Sequence, residues 1–172
     1  EPMAEGVALV QGFQYSNRAN PEKPQTVLLD RMTAPVRWSG SRIVATDAQI
    51  DWADGTVVLD AALNLLERTV DMTAVLEAID LRTALRECGG HKNSWITFRA
   101  DGEVGLSGSF GPLNLRGEVD LATANLEQLS GAPGAEASGV VLAVPSLSIV
   151  GPVEVRSEGI WLNNMAVNTW KS

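Results

Sequence analysis

The chain has 172 residues, 45% of them hydrophobic, enough for one domain with a sizeable core and too few for two full ones. Lys and Arg number 13 against 21 Asp and Glu, and the formal net charge of -8 repels phosphate backbones and anionic headgroups at long range, which argues against nucleic acid and against peripheral binding to acidic membranes. One cysteine excludes an intrachain disulfide, and no run approaches the roughly 18 to 20 apolar residues that a membrane-spanning helix needs.

The first residues, EPMAEGVALVQGF, carry neither an initiator Met nor the basic flank and cleavage pattern of a signal peptide. They read as the start of a mature or excised piece, with targeting and anchoring segments outside it. From there, alternation with period two dominates. It predicts strands over Val7 to Tyr15, Thr26 to Met32, Val36 to Trp38 and Ile43 to Trp52. The next, Val57-Leu59-Ala61-Leu63-Leu65, has Asp60 and Asn64 on its other face and is half wet. Residues from Val70 continue as strand to about Asp80, and Ala74, Ala78, Leu81, Leu85 and Cys88 also fall on one helical stripe, so a short helix is expected from Leu81 to Glu87, stopped by Gly89-Gly90.

Further strands are expected over Ser94 to Ala100 and Val104 to Phe110. In Leu113-Leu115-Gly117-Val119-Leu121 the interleaved residues are Asn114, Arg116, Glu118 and Asp120, and the two faces are cleanly opposed. Gly139 to Val144, Leu147 to Ile149, Val153 to Val155 and Gly159 to Val167 complete the set. Turns are expected at Asn17 to Pro24, Ser39-Gly40, Asp54-Gly55, Asp101-Gly102, Gly111-Pro112, Gly131 to Gly139 and Gly151-Pro152; the Asp-Gly pairs suit tight hairpins. The fold class is all-β, mainly antiparallel, as an elongated curved sheet or sandwich with one short helix near 81–87. Phrases beginning at Ala34, Gly111 and Gly151 share small-Pro-apolar-x-apolar and mark weak repeat units or similar turn chemistry at strand starts within a single domain spanning 1–172.

Candidates for chemistry are few. The only histidine, His91, follows the only cysteine in 88-CGGHKN-93, and no second Cys or His exists to complete a metal site, so the segment reads as a polar turn with Cys88 as a small hydrophobe. Asp47 and Asp51 in one strand stand some 13 Å apart at about 3.3 Å per residue, too far to act as a pair. With Asp54, Asp101, Glu103, Glu118 and Asp120 they read as a solvated face. The tryptophans 38, 52, 95, 161 and 170 fit packing and edge cover better than stacking on sugars or bases; carbohydrate binding would need them clustered with carboxylates. No phosphate-binding glycine motif, no cofactor and no enzymatic constellation is found.

What remains is an apolar stripe: Val57, Leu59, Leu63, Leu65, Leu106, Phe110, Leu113, Leu115, Val119 and Leu121. Such a face must be covered by another sheet, by a partner or by lipid. The runs 35-PVRWSGSRIVATDAQIDWADGTVVLDAALNL-65, 75-VLEAIDLRTAL-85 and 103-EVGLSGSFGPLNLRGEVDLATANL-126 resemble the repeating text of the AsmA-like/TamB (translocation and assembly module) family. That resemblance implies a β-taco, a sheet folded lengthwise around an apolar interior, in a periplasmic protein tethered to the inner membrane by a segment outside this chain. It implies phospholipid acyl chains as ligands, in lipid transfer or outer-membrane assembly. Similar β text occurs in the type II secretion N protein, which implies instead a module joining envelope or secretion proteins, or copies of itself, through strand edges.

Overall fold

The computed structural model describes residues 3–17, 25–87, 96–130, 139–157 and 159–169. They form one curved antiparallel sheet: β1 (Met3–Asn17), β2 (Gln25–Ser39), β3 (Arg42–Trp52), β4 (Gly55–Asn64), β5 (Thr69–Asp80), β6 (Ile96–Phe110), β7 (Leu113–Ser130), β8 (Gly139–Arg156), β9 (Gly159–Leu162) and β10 (Ala166–Thr169), with α1 (Leu81–Glu87) between β5 and β6. Strands β1 to β8 pair in sequence order, and β9 and β10 both lie against the last edge of β8. The expected turns at Asn17 to Pro24 and Gly131 to Gly139, but for their end residues Asn17 and Gly139, lie outside the described residues, as do the turn at Cys88 to Asn93, Trp95 and Trp170.

The helix is as the sequence predicts. Asp80 caps it, its carboxylate accepting the Arg82 N–H at 3.0 Å and the Thr83 hydroxyl at 3.0 Å. The turn between β3 and β4 differs in detail. Its central residues are Ala53 and Asp54, with φ of 49° and 59°, as a two-residue hairpin with left-handed centres requires. Gly55 is instead the first residue of β4, closing the hairpin opposite Trp52. It is bare because β5 crosses it: a Cβ would stand 2.5 Å from the Glu77 carbonyl oxygen and 2.8 Å from that of Ala78.

Four expected breaks are absent. Asp101-Gly102 lies inside β6, which runs unbroken from Ile96 to Phe110. Pro145-Ser146 and Gly151-Pro152 lie inside β8, and Pro35 inside β2, each joining strands expected to be separate. Pro35 and Pro152 are tolerated because a ladder is interrupted beside each. The β2–β3 register shifts between Thr33 and Val36, and Pro152 stands opposite the gap that residues 163–165 leave between β9 and β10. The phrases starting at 34, 111 and 151 therefore begin in mid-strand, at a hairpin and in mid-strand respectively.

The Asp101 side chain explains the first of these. Between Leu76 and Ile79 two residues of β5 oppose one of β6, a bulge in which Ala78 takes φ 53°. Asp101, the opposing residue, accepts the Ala78 N–H at 2.7 Å. The same device recurs in β3. Thr46 and Asp47 oppose Asp60 of β4, Asp47 takes φ 51°, and its N–H donates to Asp60 Oδ1 at 2.8 Å. These bulges bend the sheet without ending it.

The chain exposes 11226 Å², against about 8,100 Å² for a compact monomer of 18.3 kDa. A single curved layer, with one helix over it among the described elements, contributes to the excess. Among the described residues the enclosed cluster joins Ala53, Val57, Ile79 and Ala84, where α1 packs over the sheet beside Ile50, Trp52 and Leu76. Among large side chains of the described residues only Ile79 is fully buried.

Candidate functional site: an apolar sheet face

Residues paired across an antiparallel ladder project to the same face, so register assigns every side chain. One row reads Ile50-Val57-Leu76-Gly102-Leu121-Ile149, and the next Ala48-Leu59-Ala74-Val104-Val119-Gly151. A third runs Ala45-Ala61-Met72-Leu106-Gly117-Val153-Leu162, and a fourth Trp38-Ile43-Leu63-Val70-Gly108-Leu115-Val155-Ile160. No charged or amide side chain enters these rows. Seven inter-strand steps of about 4.8 Å make the fourth row an apolar strip on the order of 34 Å wide.

Nine of the stripe residues expected from the sequence lie on this face. Val57, Leu115 and Val119 are buried, and Leu59, Leu63, Leu106, Leu113 and Leu121 are half-buried. Phe110 pairs with Leu113 at the end of the face and is exposed. Leu65 does not belong to it: β4 ends at Asn64, and Leu65 stands in the turn 65–68, where its N–H donates to the Ser41 carbonyl at 2.8 Å. Sequence reasoning left out Met72, Val104, Ile149 and Val153, although each strand was predicted; placing them on the same face requires the register across the bulges.

The curvature has a local cause at β6 and β7. A Cβ on Gly117 would overlap the Gly105 carbonyl oxygen of the neighbouring strand, so only glycine lets the two backbones meet at this angle.

The opposite face is polar. Glu103 pairs directly with Asp120, and with Glu77, Asp101 and Glu118 they line a groove of about 770 Å³ floored by Val75, Ala122 and Val150. No group of three His, Cys, Asp or Glu among the described residues is placed to hold a metal ion. Farther along, Glu154 accepts from Arg156 Nη2 at 2.8 Å and Arg116 Nε at 3.0 Å, and the Arg156 guanidinium lies 5.3 Å from the centre of the Trp161 ring. The Arg156 hydrogen bond, with lesser help from Arg116 and against partial desolvation, holds the Glu154 carboxyl below the usual glutamate value.

The described tryptophans do not gather. Trp38 and Trp52 stand at opposite ends of the apolar face, and Trp161 is on the polar one. This dispersal removes the platform that a sugar site would need. Cys88 and His91 lie outside the described residues. No helix among the described residues is long and apolar enough to cross a membrane. No family model, curated protein or solved structure matches the chain.

Proposed function

We propose that this chain is a non-enzymatic, periplasmic module of cell-envelope biogenesis, whose apolar sheet face shields phospholipid acyl chains during lipid transfer or outer-membrane assembly. The observation that carries the reading is the continuity of that face across the sheet, with α1 covering one corner of it alone among the described elements. Each methylene withdrawn from water onto such a surface contributes about 0.8 kcal/mol, so a dozen suffice to offset the cost of holding a lipid. The likeness of residues 35–126 to AsmA-like/TamB repeats supports the same assignment.

Native mass spectrometry of gently purified protein, followed by titration with a fluorescent fatty-acid probe, tests it. Co-purifying phospholipid should be displaced by the probe and be lost in Leu63→Asp, a half-buried position in the fourth apolar row whose variant is checked for fold by circular dichroism. A lipid-free protein that ignores the probe would sink the proposal.

A second reading, a structural or assembly module acting through sheet edges, has its own support. Among the described residues β1 pairs only with β2, and Met3, Val7 and Leu9 stand exposed on the face they share with Glu5 and Gln11. This reading predicts concentration-dependent association without lipid, abolished by Val7→Lys and read by sedimentation velocity.

A further inference from the structure

The turns β2–β3, β4–β5 and β6–β7 all lie at one rim of the sheet, the rim opposite α1. Backbone bonds zip them together: Leu65 N–H donates to Ser41 O at 2.8 Å and Phe110 N–H to Arg68 O at 2.9 Å. Asn64 Oδ1 fixes the middle turn by accepting the N–H groups of Leu66 at 3.1 Å and Glu67 at 3.2 Å, and Trp38 Nε1 donates to Gly40 O at 2.8 Å. The result is a rigid ledge.

Its side chains are of two kinds. Leu66 is 83% exposed and Trp38 52%, with Leu65 and Phe110 exposed beside them. Arg42 and Arg68 are exposed and form no ion pair with the described residues. Glu67 shares the middle turn with Arg68, and Asp71 stands near Arg42 at the start of β5, while carboxylates crowd the other end of the polar face, at Asp51, Asp54, Glu77, Asp101 and Asp120. The net charge of -8 thus conceals a segregation that leaves this rim without excess negative charge.

We infer that this ledge docks on a phospholipid bilayer, Trp38, Leu65, Leu66 and Phe110 entering the interfacial layer while Arg42 and Arg68 meet lipid phosphates. Aromatic rings and arginines are the residues that settle at that depth, and a preformed ledge loses little conformational freedom on entering it. The acidic end points away from the anionic surface. The inference rests on the proposed acyl-chain function, for it places the apolar face against its source of lipid.

Flotation of the full chain with vesicles of phosphatidylethanolamine and phosphatidylglycerol tests it, alongside fatty-acid probe binding in solution. Leu66→Ser should lower vesicle partitioning about tenfold and Arg42→Glu with Arg68→Glu by a similar factor, while probe binding and Val75→Ser, on the polar face, stay at parent level. Bilayer lipids brominated near the headgroup should quench the parent's tryptophan emission more than that of Trp38→Phe, a readout independent of the leucine variant's folding. Parent protein that binds the probe but does not float, or floats equally in the rim variants, overturns the docking and leaves the apolar-face reading standing. Flotation lost in the rim variants with no probe binding by the parent does the reverse. Self-association without lipid that Leu66→Ser abolishes would make the ledge a contact between copies and overturn the docking.

Discussion

Replacing Asp101 by alanine should unfasten the bulge of β5. The carboxylate accepts the Ala78 N–H at 2.7 Å and so holds an alanine at φ 53°, a conformation costing roughly 1 to 2 kcal/mol for a residue with a Cβ. A hydrogen bond to a charged acceptor contributes about 1.5 to 3 kcal/mol, and this one is exposed, so about 1.5 kcal/mol is expected. The next residue, Ile79, is the buried centre of the cluster beneath α1, and a one-residue slip would turn it outward. At this chain length the loss corresponds to a fall in Tm of about 3 to 6 °C. Asp60→Ala in the β3 bulge should cost about 1 kcal/mol, less because Asp47 itself tolerates the left-handed region. Two strand spacings and four residues along the strand separate Asp60 from Asp101 by about 16 Å, so the two losses should add. Urea denaturation followed by circular dichroism, with Asp101→Asn restoring at least half the loss, is the assay. Stability within about 0.3 kcal/mol of the parent in Asp101→Ala, or an asparagine as damaging as alanine, would refute the argument.

Two further outcomes follow from the same geometry. The Glu154 carboxyl, followed by NMR, should titrate below an ordinary glutamate; Arg156→Ala should raise its midpoint more than Arg116→Ala. Its folded-state value is depressed, so its contribution to stability is complete above the unfolded value and fades as pH falls through the folded one. Gly117→Val should cost about 3 kcal/mol or prevent folding, because β6 and β7 would be forced apart at the Gly105 carbonyl; thermal denaturation no different from the parent would contradict the close approach.

Alternation placed most strands, because a half-buried sheet writes its pleat into the sequence, and a helical stripe placed the helix from Leu81 to Glu87; the strand expected over Gly159 to Val167 is instead divided into β9 and β10 by residues 163–165. What such patterns could not place were features whose reason lies on the neighbouring strand. Asp101-Gly102 has the composition of a hairpin, yet Asp101 serves a backbone amide 23 positions earlier. Gly55 follows a turn residue and looks like part of the turn, but answers to the crossing of β5. Pro152 breaks a pattern locally while the gap before β10 removes the need for its N–H. The apolar stripe was legible strand by strand; its assembly into rows depended on bulges that no single strand announces. Leu65 was drawn into the stripe because the period continues past Asn64, where the chain has already turned.

The sequential pairing of β1 to β8 bears on how the chain reaches this form. Every ladder there joins neighbours along the polypeptide, so contact order is low and each hairpin closes over a short loop. A chain delivered progressively, from either direction, can add one strand at a time to a growing template without awaiting a distant partner. The packing of α1 on β2 is the main exception, a late clasp on a sheet already built. In such a ladder, length is an adjustable quantity: inserting a hairpin would extend the greasy surface by about 10 Å without altering any existing pairing geometry beyond the point of insertion.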